Sequence, residues 1–172
     1  ELALYNGGGI RGDRIIPAGE ITTLVLEEMF PFGNELVLAE ISGHELLQAL
    51  ERGVSMLPDA KGNFLQVSGL RYAVNLSEEG QTLTVNEAGK AVAVSTSGKR
   101  VVMVEILNAD GEYIPVDPQG TYTLVTNSFL MQGGDGFVML GQLENVKQTD
   151  LAVKTAVEEG LHAKGEVAPT HE

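Results

Sequence analysis

The residues of this chain best suited to chemistry sit beside two glycine clusters, Gly7-Gly8-Gly9 with Gly12 just beyond, and Gly133-Gly134-Asp135-Gly136. The first belongs to the run Asn6-Gly7-Gly8-Gly9-Ile10-Arg11. Glycines there leave the backbone open to close approach by a ligand. Asn6 offers an amide donor and acceptor, and Arg11 a fixed fork of donors that matches phosphate or carboxylate. The same residues also suit a tight structural turn with a surface arginine. In the second cluster, a ring at Phe129 could stack on a base or sugar, and Asp135 could accept two hydroxyl hydrogens. Alternatively, Phe129 and Phe137 are core and Asp135 forms an Asx turn. A third segment, Pro31-Phe32-Gly33-Asn34, holds an aromatic in a short proline-bearing loop. Such a ring is either a core plug or an exposed stacking platform, and the residues alone favour the plug.

Other chemistries are excluded by type or context. Gly7-x-Gly9-x-x-Gly12 matches the dinucleotide fingerprint in letters, but that motif needs a helix opening at its last glycine. Pro17 and Gly19 stand where the helix would run. The chain has no cysteine, which removes disulfides, zinc ribbons, iron–sulfur sites and thiol nucleophiles. His44, His162 and His171 do not pair at metal-ligand spacing, so no metal site is expected in this chain. No nucleophile elbow or Ser-x-x-Lys is present, and no catalytic residue is assigned. Asn75-Leu76-Ser77 fits a glycosylation sequon, a tripeptide that also arises by chance. A net charge of −13 argues against a nucleic-acid polymer as partner, since phosphate backbones require clustered Lys and Arg. No apolar run approaches the roughly 20 residues of a membrane span, and no signal-peptide pattern opens the sequence.

The elements that must position these residues are legible in outline. Leu2-Ala3-Leu4-Tyr5 is a short apolar run ending in the glycine loop, as a buried strand feeding a loop would be. Residues 22–30 read as a helix capped by Thr22 or Thr23 and ended by Pro31. Residues 35–41 read as a strand. Ser42-Gly43-His44-Glu45 is a capping box, with Ile41 and Leu46 placed for a hydrophobic staple; Leu46, Leu47 and Leu50 form one apolar face, and Gly53 suits the helix end. From residue 64 the chain turns β-rich. Leu70, Tyr72, Val74 and Leu76 alternate with polar or small residues, and strands follow at 82–85, 91–95, 100–107 and 121–126 between glycine-bearing turns. Residues 151–161 read as a terminal helix with Thr149 or Asp150 as cap. At 172 residues, with no repeat or linker, the chain reads as one α+β domain whose mixed, largely antiparallel sheet has helices near both ends.

Taken in order, Asn6–Arg11, Pro31–Asn34 followed by a strand and Ser42-Gly43-His44-Glu45-Leu46-Leu47, Gly62-Asn63-Phe64-Leu65-Gln66-Val67-Ser68-Gly69, and Asn127-Ser128-Phe129-Leu130 running into Gly133–Gly136 resemble the C-terminal domain of the 5′-nucleotidase / UDP-sugar hydrolase family. The resemblance implies the substrate-binding half of a secreted or periplasmic two-domain hydrolase that removes phosphate from nucleotides. It implies that two divalent metal ions and a catalytic histidine belong to an N-terminal metallophosphoesterase domain outside this sequence. On that pattern Phe32 and Phe129 sandwich the base, about 7 Å apart to admit it. Asp135 holds ribose hydroxyls, Arg11 meets the ribose–phosphate end, and Asn6 bonds base or sugar, with Asn34 and the backbone at Gly62 as further contacts. Compared with the family, residues 1–172 look truncated at both ends, and hydrolysis by this chain alone is not expected. Rival readings are a 2′,3′-cyclic-nucleotide phosphodiesterase or a dinucleotide pyrophosphatase of the same architecture, or a non-catalytic extracytoplasmic binding module.

Overall fold

Alternating burial along Leu2–Asn6 makes β1 a strand with Leu2 and Leu4 inside, and it is the axis on which the site is built. The computed structural model describes residues 1–168, so His171 lies outside the described residues. After β1 come α1 (Thr23–Met29), β2 (Glu35–Ser42), α2 (Gly43–Val54), β3 (Leu65–Ser68) and β4 (Leu70–Val74). A ribbon of β5 (Thr82–Val85) and β6 (Ala91–Thr96) precedes β7 (Val101–Leu107) and β8 (Tyr113–Pro115). The chain then forms β9 (Thr121–Asn127), the short α3 (Ser128–Met131), β10 (Lys147–Ala152) and α4 (Val153–Lys164).

The α+β reading holds, but the strands divide among three sheets rather than one. A five-stranded sheet runs β10-β2-β9-β1-β3, a three-stranded sheet runs β4-β7-β8, and β5 pairs with β6 alone. Pairings are antiparallel except that of β1 with β9, which is parallel. The capping box forms as expected: Ser42 Oγ accepts from Glu45 N–H at 3.2 Å and Glu45 Oε2 accepts from Ser42 N–H at 2.8 Å. From that cap α2 turns Leu46, Ala49 and Leu50 into the core, against Leu4, Ile41, Leu124, Leu130 and Phe137. Thr22 caps α1, its Oγ1 accepting from Val25 N–H at 3.4 Å.

At the C-terminal end the structure departs from the sequence reading. Residues 147–152 are a strand, and α4 starts at Val153 with Ala152 as N-cap and no side-chain cap bond. Thr149 is used otherwise: its hydroxyl donates to Leu36 O at 2.6 Å and fixes β10 against β2. Asp150 takes a positive φ of 56° at the irregularity in that pairing, a conformation Asp tolerates better than most residues. Neither residue caps α4, because the strand runs on to Ala152 and the helix begins beyond it. Asn75 of the sequon is exposed, with its Oδ1 accepting from Ser77 N–H at 3.1 Å in an Asx turn.

Candidate functional site

Register decides where the chemical residues meet. Asn6 ends β1 opposite Leu65 at the start of β3, and Leu36 at the start of β2 lies opposite Asn127 at the end of β9. Because β1 and β9 run parallel, the ends of both and the beginnings of β2 and β3 share one edge of the five-stranded sheet. Segments 7–11, 31–34, 62–64 and 128–136 all leave from that edge. Every residue singled out for binding lies on one of them or, like Asn6, at its root.

The contacts there bring the residues into two groups. In the first, Asn6 is 3 % exposed and its Nδ2 donates to Asp135 Oδ2 at 2.9 Å. Asn127, fully buried, donates from Nδ2 to Asn6 Oδ1 at 3.1 Å, while its own Oδ1 accepts from Leu130 N–H at 2.9 Å to cap α3. Gly8 N–H donates to Gly62 O at 2.9 Å, and a Cβ at Gly62 would sit 3.9 Å from Asp135 Oδ2. Phe129 packs against the glycine turn: a Cβ at Gly134 would come within 2.5 Å of its ring atoms. In the second group, the Arg11 guanidinium carbon stands 5.3 Å from the centroid of the Phe32 ring, in cation–π range. Arg11 N–H donates to Met29 O at 2.8 Å, which ties the loop to the end of α1.

Two readings favoured or left open by the sequence are resolved. Phe32 is 46 % exposed and is not a core plug, because Pro31 and Gly33 carry it clear of the sheet edge while Phe30 takes the inner place against Tyr5, ring centroids 6.2 Å apart. Phe129 and Phe137 part company: Phe137 is fully buried, whereas Phe129 is 39 % exposed. Tyr5–Phe30 is the aromatic pair in contact among the described residues, and the Phe32 and Phe129 rings do not touch. The side chain of Asp135 caps no helix; the residue has φ 53°, ψ 18°, in the left-handed region. Asn34 contributes its carbonyl, which accepts from Val153 N–H at 3.0 Å.

Sequence reasoning missed Arg52, and saw Asn63 and Asn127 only as parts of motifs. Arg52, in the last turn of α2, donates from Nε to Asp135 O at 2.8 Å. Burial pulls the Arg52 guanidinium below its ordinary pKa, and the nearby Asp135 carboxylate opposes that shift. Asn63 Nδ2 in turn donates to Arg52 O at 2.8 Å and closes the end of α2. A helix-end Arg carries no sequence sign of a partner more than eighty residues on; an Asn before Ser-Phe-Leu did carry a capping signal.

Beside Phe129 opens a cavity of about 340 Å³. Phe129 and residues 132–136 line it together with Lys90 and with Ala91 from the start of β6. An exposed ring and a carboxylate whose Oδ1 has no internal donor among the described residues offer stacking and hydroxyl recognition at this depression, while Arg11 and Phe32, which do not line it, offer anion recognition and a second ring on the neighbouring loops.

The family described as 5′-nucleotidase, C-terminal domain, matches residues 1–142. A snake venom 5′-nucleotidase from Naja atra is 33 % identical over 99 % of this chain and 30 % of its own length. The crystal structure of the 5′-nucleotidase precursor from Thermus thermophilus superposes with a TM-score of 0.84 at 39 % identity, over 99 % of this chain and 30 % of that one. The NAD nucleotidase of Haemophilus influenzae superposes at 0.73 with 27 % identity, over 95 % of this chain and 27 % of that one. This chain thus spans less than a third of the length of each of these three proteins.

Proposed function

The chain belongs to the family of 5′-nucleotidase C-terminal domains, and from that premise we propose that it is the nucleotide-binding domain of a secreted or periplasmic 5′-nucleotidase. The observation that carries the reading is the convergence of segments 7–11, 31–34, 62–64 and 128–136 on one sheet edge, with exposed rings at Phe32 and Phe129 and the Asp135 carboxylate held by Asn6. The base stacks between Phe129 and Phe32, which tolerates any base because each has a π-face. Asp135 accepts from ribose hydroxyls through the oxygen Asn6 leaves uncommitted. Arg11, exposed beside Phe32, meets the phosphate end and counters the surplus negative charge of a chain at −13. Asn6 acts mainly through Asp135, since both polar ends of its amide are already bonded inside the protein.

Phosphate removal belongs, in this reading, to the longer protein. The two divalent ions and their ligands are assigned to an N-terminal metallophosphoesterase domain of that longer protein. This chain binds and orients; hydrolysis by it alone is expected to be absent. Similarity to an NAD nucleotidase supports a second reading, a dinucleotide pyrophosphatase using the same nucleoside grip.

Calorimetric titration of this chain with a nucleoside and its 5′-monophosphate tests the proposal. Phe129→Ala and Phe32→Ala should weaken both ligands alike, by roughly 1–3 kcal/mol per stack. Arg11→Ala should weaken the monophosphate and spare the nucleoside. Equal affinity of both phenylalanine variants and the parent would overturn the clamp, and metal-dependent phosphate release by the chain alone would overturn the division of labour.

A further inference from the structure

The β5–β6 ribbon has no role in the reading above, yet it is built with more care than a surface excursion requires. Its root is fastened to α2. The Glu51 carboxylate, 7 % exposed, accepts from Arg100 N–H at 3.2 Å and Val101 N–H at 2.8 Å just beyond the ribbon. Gln81, 4 % exposed, donates from Nε2 to Gln48 O at 2.9 Å just before it. Its body rests on the Asp135 loop, where a Cβ at Gly136 would lie 2.5 Å from Leu83 Cδ1. Its turn is set by Asn86, whose Oδ1 accepts from Lys90 N–H at 2.9 Å while its N–H donates to Lys90 O at 2.9 Å. Lys90 is therefore held at both backbone groups, and it lines the same depression as Phe129 and Asp135.

We propose that the β5–β6 ribbon is a wall of the nucleoside cleft and that Lys90 is a specificity-determining residue that reads the edge of the base stacked on Phe129. The inference rests on the nucleotide-binding reading and adds to it the class of base. A lysine ammonium carries three donors and no acceptor, so it recognises base edges that present acceptors. The O6 and N7 of a 6-oxopurine are such a pair, whereas the amino group of a 6-aminopurine meets the ammonium donor to donor. The preferred ligands are thus nucleotides of guanine or hypoxanthine over those of adenine.

Amide-resolved NMR titration of the 172-residue chain with GMP and with AMP, on the parent and on Lys90→Met, tests this. In the parent, the amides of Lys90 and Ala91 should shift with those of residues 133–136 at one midpoint, and GMP should bind more tightly. Lys90→Met should lower GMP affinity about tenfold and AMP affinity less than about twofold. Ribbon amides that stay still while the glycine loop responds would overturn the inference and leave the nucleotide-binding reading standing. An unchanged GMP-to-AMP ratio in Lys90→Met would do the same. A glycine loop that responds to neither nucleotide at millimolar concentration would overturn the nucleotide-binding reading and this inference with it.

Discussion

Asn6 Nδ2 donates to Asp135 Oδ2 at 2.9 Å across 129 residues of sequence, and this bond joins the two glycine-bearing loops into one site. The amide is buried and Asn127 holds its other end, so its orientation is fixed without the ligand. Asn6→Ala removes a bond to a charged acceptor and strands the Asn127 donor. It should cost about 1.5–3 kcal/mol of stability. Binding should also lose its preference for ribonucleosides over dideoxynucleosides, because Asp135 is no longer aimed. Urea unfolding and paired calorimetric titrations read the two effects. A retained ribose preference would show that Arg52 and the loop backbone suffice to hold Asp135.

Gly134 tests the platform by itself. Its backbone leaves room for the Phe129 ring only because no Cβ intervenes; one would stand 2.5 Å from ring atoms. Gly134→Ala should swing the ring off its seat while the buried core stays intact, since Phe129 is 39 % exposed and Phe137 carries the packing. Nucleoside affinity should fall by about the value of a stack, roughly 1–3 kcal/mol. A variant with unchanged affinity in calorimetry would show that the ring can stack from another rotamer.

The sequence was informative wherever local chemistry sufficed. The capping box at Ser42–Glu45 and the buried strand at Leu2–Tyr5 are local patterns, and both stand as read. Residues 147–152 failed because a polar edge strand is defined by its partner β2 and not by its own period. The plug reading of Phe32 failed for a related reason: a ring beside proline carries no mark of which side of the sheet edge it leaves on. The candidate binding residues were legible as motifs, but the residues that hold them were not. Arg52 and Asn63 reach their partners only through the path of α2, and Lys90 comes to the depression beside Phe129 only through the path of the β5–β6 ribbon.

Arg100 is the pin that joins the ribbon, α2 and β7. Its Nη1 donates to Val54 O, Ser55 O and Leu57 O at 3.0, 3.0 and 2.7 Å, satisfying carbonyls at the end of α2. Arg100→Ala should destabilise the chain by about 2–4 kcal/mol, from lost charge-assisted bonds and stranded carbonyls. Arg100→Lys should recover only part, because its Nζ cannot reproduce the guanidinium fork and the bond from Nε to Glu78 O. Chemical unfolding of the three proteins ranks them; equal midpoints for the lysine variant and the parent would reduce the role to charge alone.

Alkaline pH should unfold this chain through Tyr5 and Tyr72. Burial raises the pKa of both phenols above their ordinary value of 10.0, since the charged phenolate is the form that loses hydration. The folded state therefore holds these protons more tightly than the unfolded chain. The associated stability is complete below about pH 10 and is lost as pH rises through the folded pKa values. Tyr5 adds a consequence for the site, because its hydroxyl donates to Gly9 O at 3.4 Å and its ring packs edge-on against Phe30 beside the Arg11 loop. Ionisation of Tyr5 converts that donor into a second acceptor facing the carbonyl and should loosen the loop before the core yields. Urea midpoints measured from pH 8 to 11 should fall above about pH 10 as phenolate absorbance, followed in parallel, rises. Tyr5→Phe and Tyr72→Phe should each flatten the fall, with Tyr5→Phe alone keeping the Arg11 loop amides protected from exchange at high pH. A decline that is as steep in both variants as in the parent would assign alkaline unfolding to the general negative charge of the chain instead.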